Sequence, residues 1–563
     1  MNKLPIGISN FKKIRENDYY FIDKSLFIKD IIDESAEVIL LPRPRRFGKT
    51  LNLSMLYYFF NSDKDYSYLF EGLKIQNTTD RYLDKQGKYP VIKLDFKGVK
   101  ADNWSDCFNN IKRIIAKEYK RHNYLLNNDN LLPHEQEEYR KIMSHQADSV
   151  AYQFSLENLS EYLGKYYGEK VMVLIDEYDE PIQSGYINGF YNEVIDFMRG
   201  LLTRGLKGNI NLEKGILTGI LRVAKESIFS GLNNLLVSTL LENKYDNYFG
   251  LLEKEVEEIF KDYKLEYKLD EIKEWYNGYY FGEKTLYNPW SIINCIYYEG
   301  ELKPYWVNTS GNEIIKDLII TGNSEIKRDL ELLIKEEPIE RKIDENIIFA
   351  DIDKKSSSLW SFLLLSGYLR SSSSYRKGGR LYCDLEIPNQ EVRYIYEEII
   401  LDWFEENITS QKLKLMLNAL TSGDIEVFSN VFKEFVLNSM SSFDVGGDAP
   451  EKTYHAFVLG LLLNLRDDYQ IKSNHESGYG RYDVMIIPGD KNDLGIIIEF
   501  KKVNEYKNES LVEAVEAALE QIEEKRYKQE LLARDIENIL EMGIAFSGKE
   551  VIVKEAEGPI IDD

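Results

Sequence analysis

An α/β fold with a parallel N-terminal sheet is predicted by two features of the chain. Four short, continuous apolar runs are separated by long stretches with helical spacing, the pattern of strands buried on both faces and joined by crossover helices. Near the C-terminus two further apolar runs flank a Pro-Gly-Asp turn, which predicts a hairpin inside a second α/β domain. At about 150 residues per domain, 563 residues make room for three or four domains.

The first run, residues 38–41, leads into a Pro, Arg and Gly loop and then into Leu51, Leu53, Met55, Leu56 and Phe59, a strand, loop and helix. Residues 91–96, 171–175 and 215–220 supply the other strands, with helical stretches such as 107–124 and 190–204 between them. After about residue 240 the pattern becomes helical. It then turns rich in aromatics and turns from Trp275 to Trp290, as expected of a lid or small appended domain. The serine clusters at 356–358 and 371–374 interrupt charged helices and read as turns. A helical stretch over 391–440 ends at a Gly-Gly-Asp boundary. The expected organisation is therefore 1–240, 241–310 (lid), 311–445 (mostly helical) and 446–563, with no internal repeat.

Composition narrows the function classes. Apolar residues make up 43% and charged residues 29%, and no stretch approaches the roughly 20 apolar residues that cross a bilayer. The first 14 residues carry Lys3, Lys12 and Lys13 and lack the apolar core of a secretory signal, so a cytoplasmic protein without membrane contact is expected. Cys107, Cys295 and Cys383 are too few and too dispersed for a disulfide framework or a zinc knuckle. Five histidines show no close ligand spacing, so any metal is expected on carboxylates. A net charge of -24 argues against a non-specific coat on nucleic acid and leaves a local, metal-assisted site. The 40 tyrosines are accounted for by packing.

Between the first strand and helix, Arg43-Pro44-Arg45-Arg46-Phe47-Gly48-Lys49-Thr50 ends in the Gly-Lys-Thr of a phosphate loop. Backbone N–H groups of Arg45, Arg46, Phe47 and Gly48 would cradle phosphates, Lys49 would reach the β and γ phosphates, and Thr50 would hold Mg2+. Arg43 stands where glycine is usual. It cannot take a positive φ cheaply, so the start of the loop must differ, while Arg43, Arg45 and Arg46 add positive charge. The strand at 171–175 ends in Asp176-Glu177, where the first carboxylate suits the Mg2+ shell and the second can orient or deprotonate water. The competing reading is a solvated acidic turn extended by Asp179 and Glu180. Thr218 and Arg222, at the end of a later strand, are candidate sensors of the terminal phosphate.

The second constellation is Asp483 on one strand of the C-terminal hairpin and Glu499-Phe500-Lys501 on the other. Alternation places Glu499 and Lys501 on one face and Ile498 and Phe500 on the other. Two carboxylates for Mg2+ and an amine to position water suit phosphodiester hydrolysis. The competing reading is an ion pair on an edge strand, against which stands the apolar Ile496-Ile497-Ile498 run of a central strand. Glu451 and His455 upstream, and Gln521 on a helix downstream, could complete the site.

Taken together, these residues resemble an AAA-ATPase-like domain followed by a PD-(D/E)XK-superfamily nuclease domain over nearly the whole chain. The resemblance rests on Tyr19-Tyr20-Phe21-Ile22-Asp23-Lys24-Ser25, on the phosphate loop with its Arg43, and on Leu174 to Asp179. In the C-terminal part it rests on Tyr454-His455, Gly480 to Asp483, Glu499-Phe500-Lys501, and Gln521 with Tyr527. It implies an AAA-type ATPase, a restriction-endonuclease-like α/β core, and Asp483, Glu499 and Lys501 as the nuclease centre with Gln521 beside them. The expected function is ATP binding and hydrolysis with Mg2+ (Mn2+ as an alternative), coupled to cleavage of nucleic acid, DNA before RNA. One alternative is a nucleotide-switched binding or regulatory protein whose nuclease fold does not cut. Another is an ATPase whose C-terminal domain serves only assembly. AAA-type rings leave a homo-oligomer open.

Overall fold

The computed structural model describes residues 2–127, 130–221, 233–306, 324–334, 336–345, 356–405, 410–439, 468–473, 476–477, 480–503, 509–547 and 550–556, with isolated positions 229, 315, 352, 462 and 465. Two compact units are present: residues 1–309 with 340–392, and residues 310–339 with 393–563.

The first unit is built on β1 (Val38–Pro42), β2 (Val91–Asp95), β3 (Val171–Asp176), β4 (Leu212–Gly219) and β5 (Leu235–Val237). All pairings are parallel, in the order β2-β3-β4-β1-β5. β1 and β3 are buried at every residue, which is why they read as unbroken apolar runs. The register sets Pro42 beside Gly219, Ile175 beside Leu217 and Asp95 beside Asp176. The C-terminal ends of β1, β3 and β4 therefore emerge together, the place where parallel sheets bind ligands. Crossovers are made by α1 (Lys49–Phe60), α2 (Trp104–Arg121), α3 (Ser149–Tyr167), α4 (Glu180–Ile187) and α5 (Tyr191–Leu206). Asn103 and Asp148 cap α2 and α3.

The region expected as a lid belongs to this same unit. A small antiparallel sheet of β6 (Leu251–Leu252), β7 (Tyr279–Phe281) and β8 (Lys284–Tyr287) packs with α6 (Glu253–Asp262), α7 (Leu269–Tyr276) and α8 (Pro289–Tyr297). Phe47 is buried against β7, its ring 4.9 Å from Tyr279 and 5.0 Å from Phe281.

A further sheet joins β9 (Ile339–Ile343), β10 (Arg370–Lys377) and β11 (Arg380–Glu386). Here the serine clusters depart from expectation. Ser371 to Ser374 lie within β10, and Ser356 to Ser358 open the helix Ser356–Leu365. The turn falls instead at Gly378 and Gly379, both at positive φ (58° and 76°), which suits a two-residue hairpin. β10 is the edge strand and mostly exposed, so serine is tolerated there, while Cys383 and Leu385 of β11 face inward.

The stretch over 391–440 resolves into the helix Gln390–Glu405, within which the second unit resumes at Arg393, and the helices Ser410–Ser422 and Ile425–Ser439. The sheet contains β12 (Tyr469–Ser473), β15 (Val484–Pro488), β16 (Gly495–Lys502), β17 (Ile539–Ser547) and β18 (Glu550–Glu555), in that order. A short ribbon of β13 (Glu476–Ser477) and β14 (Gly480–Arg481) lies apart. β15 and β16 form the expected antiparallel hairpin, and β16 is central, pairing in parallel with β17 on its other side. Ile496, Ile498 and Phe500 pack with Leu420, Phe428 and Phe432 on one face. Ile497 faces the other side, with Tyr482, Ile522 and Tyr527. The helix Leu511–Lys525 covers that second face from a capping box of Ser510 and Glu513. Gly543 is what lets it approach, since a Cβ there would lie 2.9 Å from the Val515 carbonyl oxygen. All three cysteines are free and buried. Among the described residues, no helix is long and apolar enough to cross a membrane.

Candidate functional site

Two sites arise from these sheets, one in each unit. In the first, Gly48 (φ 86°) turns the chain from the loop into α1, so that the free N–H groups of the helix start open onto the loop. Lys49 is buried. Its Nζ donates to the carbonyls of Arg43 (3.1 Å) and Pro44 (3.3 Å) and lies 3.4 Å from the Glu177 carboxylate. Across the sheet the Thr218 hydroxyl donates to Asp176 Oδ1, a direct result of β3 and β4 being neighbours. Burial and Glu177 raise the pKa of Asp176, while Thr218 and Thr50 favour its ionised form. Among the described residues, Oδ2 of Asp176 is buried with no hydrogen-bond partner. An orphaned carboxylate oxygen beside Thr50 fits a divalent cation, which takes hard oxygen donors. Glu177 is held at φ 49°, a strained conformation of the kind stored at working sites.

Arg43 does not do what the sequence suggested. Positive φ falls on Arg46 (70°) and Gly48, and Arg43 is fully buried. It donates to the Ser238 and Pro42 carbonyls, and its guanidinium sits 5.1 Å from the Phe249 ring and 5.6 Å from that of Phe281. Burial lowers its pKa to about 10. Its charge is therefore used in packing the loop and is not turned toward phosphate. The Phe47 side chain is likewise committed to packing. Arg45 lies 3.4 Å from the Gln183 amide oxygen, and Arg46 stacks on Trp290. Arg222 lies outside the described residues, as do Glu451, His455 and Tyr454.

The solvated-turn reading of Asp179 fails. This residue is fully buried, and its Oδ2 accepts the N–H groups of Ile220 (2.9 Å) and Leu221 (3.1 Å), clamping the exit of β4. Burial, with Glu177 nearby, raises its pKa to about 6. Sequence reasoning also passed over a small, largely apolar cleft of about 90 Å³ beside the loop, lined by Phe21, Ile22, Gly48, Leu51, Pro289 and Ile293. The signal was present in the Tyr20-Phe21-Ile22 segment, whose apolar residues precede any strand. Two polar groups on its wall are occupied elsewhere, Lys24 by Glu255 and Asn52 by the Tyr248 carbonyl.

In the second unit the strand pairing delivers the predicted residues to one spot. The Phe500 N–H donates to Asp483 Oδ2 (2.8 Å), and the Asp483 N–H lies 3.3 Å from Glu499 Oε2. Lys501 Nζ lies 3.6 Å from Glu499 Oε1 and donates to Gln521 Oε1 at 2.6 Å. The Gln521 amide nitrogen donates to Glu499 Oε1 and to the Tyr527 hydroxyl (3.2 Å). Glu499 is buried, and desolvation, then the Asp483 charge, push its pKa up to about 8. A buried carboxylate whose ionisation is opposed by a second one fits a divalent cation, because its charge relieves that repulsion. Among the described residues no group of three or more His, Cys, Asp and Glu forms a complete cage.

Comparison with known proteins matches one segment within each unit. Residues 5–229 match the AAA-ATPase-like family, described as "Predicted AAA-ATPase", and residues 449–556 match the PD-(D/E)XK nuclease superfamily. The chain is 27% identical over 558 residues to an "uncharacterized protein in vnfD 5'region" of Azotobacter chroococcum mcd 1, covering 97% of this chain and 96% of that protein. The likeness therefore runs through both matched segments and the stretch between them.

Proposed function

We propose that this chain, an AAA-ATPase-like segment followed by a PD-(D/E)XK-like one, binds and hydrolyses ATP and cleaves DNA, the nucleotide state gating or positioning the nuclease. The observation that carries the reading is the convergence of Asp483, Glu499, Lys501 and Gln521 at one face of a central strand, with the Glu499 carboxylate buried among them.

At each site a bound divalent cation, Mg2+ or Mn2+, would supply charge neutralisation at phosphate and a more acidic water. In the C-terminal unit Asp483 and Glu499 would hold it. Lys501, steered by Gln521, would orient the attacking water and meet charge developing on the phosphodiester. In the N-terminal unit Thr50 and Asp176 would hold the cation, with Thr218 fixing Asp176. The carbonyl-bound ammonium of Lys49 would exchange those contacts for phosphate oxygens, and Glu177 would orient or deprotonate water. The apolar lining of the cleft beside Gly48 suits the flat face of a nucleotide base.

The test is incubation of the purified protein with labelled linear and circular DNA and Mg2+ or Mn2+, with and without ATP, beside Lys501→Ala and Lys49→Ala. Cleavage that vanishes in Lys501→Ala, and an ATP effect that vanishes in Lys49→Ala, are expected. Absence of cleavage under every condition, with folded protein, would overturn the DNA-nuclease reading.

A further inference from the structure

Both exposed-side arginines of the phosphate loop are held by tryptophans from one segment far along the chain. The Arg46 guanidinium lies over the Trp290 ring, 4.2 Å from its centroid. The Trp306 indole N–H donates to the Arg45 carbonyl at 3.3 Å. The segment carrying these rings is itself fixed. Trp290 donates its indole N–H to the Tyr305 carbonyl (3.0 Å), and buried Glu391 accepts the Trp306 N–H (2.7 Å) and the Ser291 hydroxyl. Trp290 belongs to α8, whose Pro289 and Ile293 line the apolar cleft. One helix thus borders the cleft and grips the loop.

Arg46 forms no ion pair among the described residues and sits at φ 70°, a conformation that costs a non-glycine residue about 1 kcal/mol or more. Stacking occupies the face of a guanidinium and leaves its N–H edge available, the edge that matches phosphate oxygens. Lys49, in contrast, is already engaged by two loop carbonyls and Glu177. Arg46 stands three residues before Lys49 in the same loop.

We infer that Trp290 is a positioning residue for triphosphate recognition: by stacking Arg46 it holds the guanidinium edge toward the terminal phosphate, while the same helix covers the base. The inference rests on the ATP-binding reading above. An arginine that merely covers surface on an indole would look the same at rest and would behave differently on titration.

The experiment uses the full chain and a fluorescent ATP analogue with Mg2+, displaced by ATP or by ADP, in wild type, Trp290→Ala, Trp290→Phe, Arg46→Gln and the Trp290→Ala/Arg46→Gln double variant. Thermal melting verifies folding of each. Trp290→Ala and Arg46→Gln should each weaken ATP binding by about tenfold and ADP binding far less, the double variant should be no worse than either single, and Trp290→Phe should retain most of the affinity. Additive losses, equal losses for ATP and ADP, or wild-type binding by Trp290→Ala would overturn the inference. If wild type and Lys49→Ala bind nucleotide equally poorly, the ATP reading itself falls and takes this inference with it. That failure is separable, because the near-ultraviolet dichroism lost in Trp290→Phe and perturbed in Arg46→Gln reports the stack without nucleotide.

Discussion

Lys501 donates to Gln521, Nζ to Oε1 at 2.6 Å, so the amine of the central strand is steered by an amide on the helix that covers it. The amide cannot turn over without placing its oxygen against Glu499, since its nitrogen already donates to that carboxylate and to Tyr527. Gln521→Ala should therefore slow DNA cleavage roughly 10- to 100-fold, the usual loss when a supporting partner of a metal or catalytic group is removed. Lys501→Ala should cost more. Initial cleavage rates at saturating Mg2+ decide the order.

Glu499 makes the C-terminal unit sensitive to alkali. Its folded pKa of about 8 exceeds the ordinary 4.5 through burial and the nearby Asp483 charge, so the folded state binds the extra proton. Stability is then full below about pH 4.5, is lost progressively as pH rises toward 8, and is recovered when a cation replaces the proton. Melting in chelator at pH 5 and pH 9 should show Glu499→Gln gaining on wild type only at the higher pH. Added Mg2+ should raise wild type there and leave the variant unchanged.

Arg43→Gly would give the loop the residue usual at this position, and it should nonetheless destabilise the N-terminal unit. The change removes donors to the Ser238 and Pro42 carbonyls and two aromatic contacts at a fully buried position. A loss of about 3 kcal/mol is expected, read as a fall of several degrees in melting temperature.

Gly543→Val should abolish cleavage while leaving nucleotide binding intact. A side chain at Gly543 would press on helix backbone at the Val515 carbonyl, which cannot move aside as a flexible side chain would. Both Gln521 and Tyr527 depend on that helix–sheet approach. ATP affinity and DNA cleavage measured on one preparation separate the two effects.

The strands that carry the two sites were legible because their signals are local. The unbroken apolar runs at 38–41 and 171–175 announce β1 and β3, and alternation alone sends Glu499 and Lys501 to the face opposite Ile498 and Phe500, where they are found. The serines of β10 misled for the complementary reason: an exposed edge strand has no apolar face to display, and its turn chemistry sat one step later, at Gly378-Gly379. Arg43 misled because a loop position was judged by backbone habit, whereas the cavity between Phe249 and Phe281 decides what fits there.

The sequence by itself determined the strands that carry the two sites, that a phosphate loop precedes α1, and that an acid pair and an amine stand on a C-terminal hairpin. Each of these is a matter of spacing within a few residues, because period and turn chemistry act over that distance. Only the tertiary structure decided that Thr218 touches Asp176, that Gln521 bridges Lys501 and Glu499, that Asp179 is a buried clamp, and that Trp290 carries Arg46. Those contacts follow from strand order and from which buried face meets which. Periodicity says that a face exists, and packing alone says what it meets.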